Sequence, residues 1–245
     1  MTSASAMPTR RDEDFRYADL AALAPLWPVA AERIVLGPGE QRAMAIIHAE
    51  GDAWARDLVV DVAEGGRFAL HLISSGQGLG RFTLRVNLAA RAELVFGAAQ
   101  LAGAGQTLEI VTQVVHSAPD AISRQVVRSV AARRSTVNYL GKVLVQKGAD
   151  GTDGAQSVRA MLLDRSASAN AKPELEIHAD DVKCAHGCAV GELDAAALFY
   201  MAQRGLPPEA AKRLMLQAFV AEAFVGAEDE ASLGEAAIAA LEALV

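Results

Sequence analysis

The chain has 245 residues, a formal net charge of -7 and only 5% aromatic residues, which argues against a basic nucleic-acid surface and against a base-stacking platform. Its apolar content of 52% is enough for one sizeable core, and no run of about 18 apolar residues is present to cross a membrane as a helix. The start, MTSASAMPTRRDEDF, lacks the apolar stretch of about 7 to 15 residues that an export signal needs. With two cysteines and no such signal, the chain is expected in the reducing cytoplasm, with both thiols unbridged.

Three zones follow along the chain. Residues 1–30 read as a short lead-in, in which Asp19 caps a helical turn that Pro25 and Pro28 stop. Residues 31–191 read as β: RDLVVDV, RFALHLISSG, RFTLRVNL, LVFGAAQ and LEIVTQVVH are short alternating runs closed by Gly or small-residue turns. In LEIVTQVVH, Leu108, Ile110, Thr112 and Val114 share one face, while Glu109, Val111, Gln113 and Val115 share the other. Both faces are largely uncharged, as if both were covered. An antiparallel sandwich and a parallel β-solenoid both fit this texture. No strict repeat marks the second, and the near absence of two-residue hairpin turns, Asp150-Gly151 apart, weighs against the first.

Residues 192–245 read as helical. Asp194 caps DAAALFYMAQRG, Gly205 ends it, and Pro207 and Pro208 open the next helix. That helix places Leu214, Ala218, Ala221 and Val225 at helical spacing, beside Met215, Phe219 and Glu222, as an apolar face for packing. EASLGEAAIAALEALV repeats the period.

Little of this carries catalysis. The only Gly-Lys pair, Gly141-Lys142, has Thr136 where a P-loop needs Gly and Val143 where it needs Ser or Thr. Gly76, Gly78 and Gly80 do not form a dinucleotide fingerprint, and no G-x-S-x-G occurs. His48, His71, His116 and His178 are scattered and read as structural. Arg124, Arg128, Arg133 and Arg134 read as a solvated basic face. Asp180 and Asp181 are adjacent, so on a strand they face opposite ways and make no acid/base pair; pairing with Lys183 explains them.

Cys184, His186 and Cys188 are different. On a strand all three project from one face, spaced by about 6–7 Å. They form a row of soft ligands, or the cysteines are small buried hydrophobes and Gly187 marks a bend. One straight strand cannot wrap a tetrahedral metal, so a site completed by a second chain stays open.

The run KPELEIHADDVKCAHGCAVG, Lys172 to Gly191, followed by LFYMAQRG, Leu198 to Gly205, resembles the signature of the SufB/SufD family of iron–sulfur cluster assembly proteins. GKVLVQKGADGTDGAQ, from Gly141 to Gln156, and PTRRDEDFRYADL, from Pro8 to Leu20, resemble further family motifs, and the last favours the SufD branch. Cys188 stands where the family has Ala, and many members carry a longer N-terminal helical region. The resemblance implies a right-handed parallel β-helix core with a C-terminal helical domain. It implies a non-enzymatic scaffold that pairs with a SufB-like paralogue and binds a SufC-like ABC-type ATPase through its C-terminal helices, and that forms a homodimer when isolated. It also implies that Cys184 and His186 face a transient iron–sulfur cluster at the SufB interface, with no tightly bound cofactor in the isolated chain. Leu198, Phe199, Tyr200, Arg204 and Gly205 then fall on the SufC side. A stand-alone metal-binding β-helix module and a carbohydrate-active β-helix enzyme using Asp180, Asp181 and Lys183 are the alternatives.

Overall fold

The computed structural model describes residues 6–49 and 51–244; the first five residues of the polar start lie outside these. Twelve strands run through the middle of the chain: β1 Ala31–Leu36, β2 Gln41–His48, β3 Trp54–Val62, β4 Arg67–Ser74, β5 Leu79–Leu88, β6 Glu93–Ala102, β7 Thr107–His116, β8 Ile122–Ala131, β9 Thr136–Val145, β10 Asp153–Leu162, β11 Ser168–Ile177 and β12 Lys183–Gly191. Odd strands form one sheet in the order β1-β3-β5-β7-β9-β11, and even strands form the other in the order β12-β10-β8-β6-β4-β2. Each described pairing is parallel and in register. The chain therefore winds as a parallel β-solenoid, one strand per sheet per coil, and the antiparallel sandwich is excluded.

The absence of a visible repeat has a backbone explanation. One corner of each coil carries a residue at positive φ: Gly39, Gly65, Arg91, Asp120 and Gly151. Their N–H groups donate to the corner of the next coil, at the carbonyls of Glu64, Ala90, Pro119, Asp150 and Asp181. The intervals between them lengthen along the chain and the residue type changes, so the conformation repeats while the letters do not.

Register sorts the side chains. Leu58, Leu84, Leu70, Leu72, Phe82, Phe96, Ile110, Val127 and Val143 point inward and are buried. In β7 the row Leu108, Ile110, Thr112 and Val114 is the interior one, and Glu109 and Val111 on the outer row are buried as well. What covers the odd sheet is the N-terminal segment. Arg81, Glu109, Asn138 and Asn170 occupy one rung on the outer face of β5, β7, β9 and β11. Arg81 pairs with Glu109 and donates to the Asp14 carbonyl, Glu109 accepts from the Asp19 N–H, and Asn138 donates to the Tyr17 carbonyl. The Arg81 guanidinium also sits 4.2 Å from the Phe15 ring. This polar ladder straps the segment down, and Asp19 caps the turn α1, Leu20–Leu23, through the Ala22 N–H.

The outer face of the even sheet is covered by the C-terminal helices α3 Pro208–Ala221 and α4 Glu230–Glu242 and the turn between them, while α2 Ala195–Gln203 packs on α3. Ile73, Ala99, Leu101 and Val130 from the strands pack against Leu216, Val220, Phe224, Leu233, Ala237 and Leu241. The buried row of α3 is thus Ala211, Leu216 and Val220. The stripe read from the sequence faces outward instead: Leu214 is 50% and Val225 71% exposed. Leu216 and Val220 stand one turn apart, as Leu214 and Ala218 do, so spacing alone does not choose between the faces and the docking of the helix does. Arg128 is a second revision. It lies buried under the helices, donating to Glu222 at 2.6 and 2.9 Å and to the Ser157 carbonyl, so it anchors the helical layer rather than meeting solvent. Gly97 permits the closest approach: a Cβ there would sit 1.9 Å from the Ala223 carbonyl oxygen. Gly97→Val is expected to push the helices off the sheet at a cost of about 1–3 kcal/mol, seen as a lowered thermal midpoint and faster proteolysis between residues 192 and 244.

Candidate functional site

The last coil of the solenoid leaves one end open. β11 and β12 each pair on one side only, with β9 and β10. Their inward-pointing residues have no further coil above them. On β12 these are Cys184, His186, Cys188 and Val190, in register with Gly154, Gln156, Val158 and Ala160 of β10. On β11 they are Ala171, Leu175 and Ile177, in register with Tyr139, Val143 and Val145. Cys184 is half-buried against the core, whereas His186, Cys188, Val190 and Ile177 are exposed. The predicted row thus exists, and it points toward the solenoid interior at the place where the interior meets solvent.

Burial pushes the Cys184 thiol above its ordinary pKa, with the Gly154 backbone opposing and the Asp153 charge reinforcing. Burial also raises Cys188. Both thiols are therefore protonated at neutral pH. The two are four residues apart on one strand, beyond disulfide reach without backbone movement, and both are free. Among the described residues no group of three or more His, Cys, Asp or Glu side chains is poised to hold a metal ion. As a donor set this end fits half of a site, one thiol and one imidazole with open positions, and not a closed one. Asp180 and Asp181 lie exposed in the corner before β12, as does Lys183 at its start.

Behind the open end the interior turns polar, which the sequence reading missed. Thr112 donates to Gln125 Oε1 at 2.9 Å and lies 3.0 Å from the Tyr139 hydroxyl, and Gln156 donates its side-chain N–H to that hydroxyl at 3.2 Å. Gly141 makes room, since a Cβ there would lie 2.1 Å from the hydroxyl. His116 is fully buried, with Nε2 2.9 Å from the Ser123 hydroxyl. Ser123 shares a rung with Gly154 and Cys184. The signal for these residues was polar letters recurring at every second position, invisible until the parity of each strand is known.

The second candidate surface is α2 and its end. Asp194 accepts from the Ala196 and Ala197 N–H groups, and Gly205, at φ +85, closes the helix. Leu198 is half-buried, while Phe199 and Tyr200 are 66% and 55% exposed. Arg204 stacks 4.7 Å from the Tyr200 ring. Between α3 and α4 runs an apolar groove of about 300 Å³ lined by Leu214, Ala218, Ala221, Gly234 and Ile238. The outward stripe of α3 forms one of its walls. No helix among the described residues is long and apolar enough to cross a membrane.

The fold and its open end define a parallel β-solenoid with a strapped outer face, a helical layer and a row of Cys184, His186 and Cys188 where the interior meets solvent. The family model for the SUF system FeS cluster assembly SufBD core domain matches residues 45–219, and the chain belongs to that family. It is 35% identical over 108 residues to the iron–sulfur cluster assembly protein SufD of Escherichia coli, covering 44% of this chain and 26% of that protein. It is 33% identical over 120 residues to SufD of Bacillus subtilis, covering 47% and 26%. A SufBD family iron–sulfur cluster assembly protein of Synechocystis is 30% identical over 164 residues, covering 66% and 36%. The aligned part spans about a quarter to a third of these relatives.

His116 yields a stability prediction. Burial lowers its pKa to about 4, below the ordinary value of 6.5. The unfolded chain therefore takes up a proton first as pH falls, and stability present above pH 6.5 is lost between there and pH 4. The loss is about 3 kcal/mol in total. Denaturant titrations at pH 7 and pH 4.5 should show it, and His116→Asn should remove much of the difference.

Proposed function

We propose that the chain is a SufD-like, non-enzymatic scaffold subunit of an iron–sulfur cluster assembly complex. The observation that carries this reading is the open end: two unpaired edge strands bearing Cys184 and His186 on the inward face, with no neighbouring coil to complete either the sheet or the ligand set. A SufB-like paralogue, itself a parallel solenoid, continues both sheets across that end and supplies the missing donors, so that the nascent cluster is cargo held between subunits. His186 is the leading cluster-facing residue and Cys184 its neighbour; Cys188, absent from the family motif, has no assigned role.

Edge chemistry points to one strand of this end: β12 carries only Lys183, at its start, whereas β11 carries Lys172, Glu174 and Glu176, and at the opposite end β1 and β2 carry Glu32, Arg33 and Arg42, charges of the kind that discourage pairing. The same property leads the isolated chain to pair with a second copy through β12, about a two-fold axis. The energy source lies elsewhere, because no P-loop is present. A SufC-like ATPase docks on the C-terminal helices, where Phe199, Tyr200 and the α3–α4 groove offer apolar surface and Leu198, Arg204 and Gly205 shape the end of α2. The complex works in the cytoplasm.

The stand-alone metal module is disfavoured by the incomplete donor set, and the carbohydrate-active enzyme by the divergent Asp180 and Asp181. Two measurements test the proposal. Ile177→Asp with Val190→Asp, both at exposed positions, is expected to leave the circular dichroism unchanged and convert the isolated homodimer to monomer by light scattering; a persistent dimer would place the interface elsewhere. Co-expressed with its SufB-like and SufC-like partners, His186→Ala is expected to lower reconstituted cluster yield at least about tenfold, the minimum for losing a ligand when even its supporting residues cost that much. An unchanged yield rejects the ligand role.

A further inference from the structure

We infer that Gln156 is a positioning residue for His186: its side-chain carbonyl oxygen accepts one ring N–H of the neutral imidazole, which leaves the other ring nitrogen with a bare lone pair toward the open end. The inference deepens the proposed ligand role of His186 and, in its consequence for the cluster, rests on it.

Three observations lead there. Gln156 is buried, at 3% exposure, and its Oε1 has no hydrogen-bond partner among the described residues. A buried amide oxygen without a donor is costly and demands one. Second, the orientation of that amide is fixed from behind. The Thr112 hydroxyl donates to Gln125 Oε1, and the Tyr139 hydroxyl, fully buried and held protonated by that burial, takes the Gln156 N–H. With the NH2 group directed to Tyr139, the carbonyl is left for its two in-register neighbours: Gln125, whose buried Nε2 also lacks a partner among the described residues, and His186. Third, register puts His186 directly beside it. Gln125, Gln156 and His186 are successive inward-facing residues of β8, β10 and β12. His186 is exposed, and among the described residues its ring makes no hydrogen bond, so it is free to turn to the acceptor.

The chemistry is selective. A carbonyl oxygen pairs with a ring N–H and not with a bare ring nitrogen, so the contact chooses one tautomer. A histidine that ligates a metal through one nitrogen characteristically donates the other N–H to such a partner. The line Thr112–Gln125–Tyr139–Gln156 supplies that partner from inside the solenoid, and the second subunit need not provide it.

The test reads the tautomer directly in the full-length chain. Protein labelled with 15N-histidine is examined by long-range proton–nitrogen correlation at pH 8, with the His186 signals assigned by their loss in His186→Gln. The wild type is expected to show one protonated and one bare nitrogen, biased about tenfold, the size one net hydrogen bond supports. Gln156→Leu should relax this to the averaged pattern of a solvated imidazole, and Gln156→Glu, which keeps an acceptor, should restore the bias. Tyr139→Phe removes the group that orients the amide while leaving Gln156 in place; it should weaken the bias even if Gln156→Leu fails to fold. An averaged His186 in the wild type, or a bias that survives both Gln156→Leu and Tyr139→Phe, overturns the inference. No cluster is needed for the measurement. A locked tautomer together with an unchanged cluster yield in His186→Ala would reject the ligand role and leave this contact standing; an averaged tautomer with lost cluster would do the reverse.

Discussion

Every strand of this solenoid finds its hydrogen-bond partners a full coil away in sequence, through in-register parallel pairing, so each coil is stable only as part of a stack. That constraint governs the rest. Corners must return the chain to the same height each time, which positive-φ residues and the corner-to-corner N–H bonds at Gly39, Gly65, Arg91, Asp120 and Gly151 achieve. The inward rows must match from rung to rung, as Phe82 with Ile110 and Leu70 with Phe96 do. At each end of the stack, among the described residues, the requirement goes unmet.

The interior is not uniformly apolar. Coils near the start are filled by leucine, valine and stacked rings such as Trp54 and Phe82. Coils near the open end carry Thr112, Gln125, Tyr139, Gln156, His116 and Ser123. Buried polar groups stabilise less than apolar ones of the same shape, but satisfied networks fix side-chain orientation. Here they lie directly behind Cys184 and His186.

Both outer faces are held by buried arginines. Arg81, paired with Glu109 on β7, holds the N-terminal segment through the Asp14 carbonyl, and Arg128 with Glu222 holds the helices. Glu13 additionally pairs with Lys172 on β11, so the N-terminal segment reaches the last coil. Arg128 also bonds Ser157 on β10, so the helical layer is tied to the coil before the open end.

Much was legible in the letters. Alternation with uncharged faces specified buried strands, caps at Asp19 and Asp194 specified helix starts, and the Cys184–His186 spacing specified a shared face because strand geometry has period two. These are local consequences of backbone stereochemistry, and they hold wherever the segment packs. Other features depended on which neighbour each face meets. Leu214 and Leu216 are equally good helical hydrophobes, and only the docking of α3 on Ile73 and Val130 buried the second and exposed the first. Arg128 reads as solvated until a helix covers it. Gln156 is one polar residue in DGAQSVRAML until register sets it between Gln125 and His186. The sequence by itself determined the strands, the caps and the ligand row; tertiary structure decided which sides face inward, because parity along a strand has no sign until the strand is stacked.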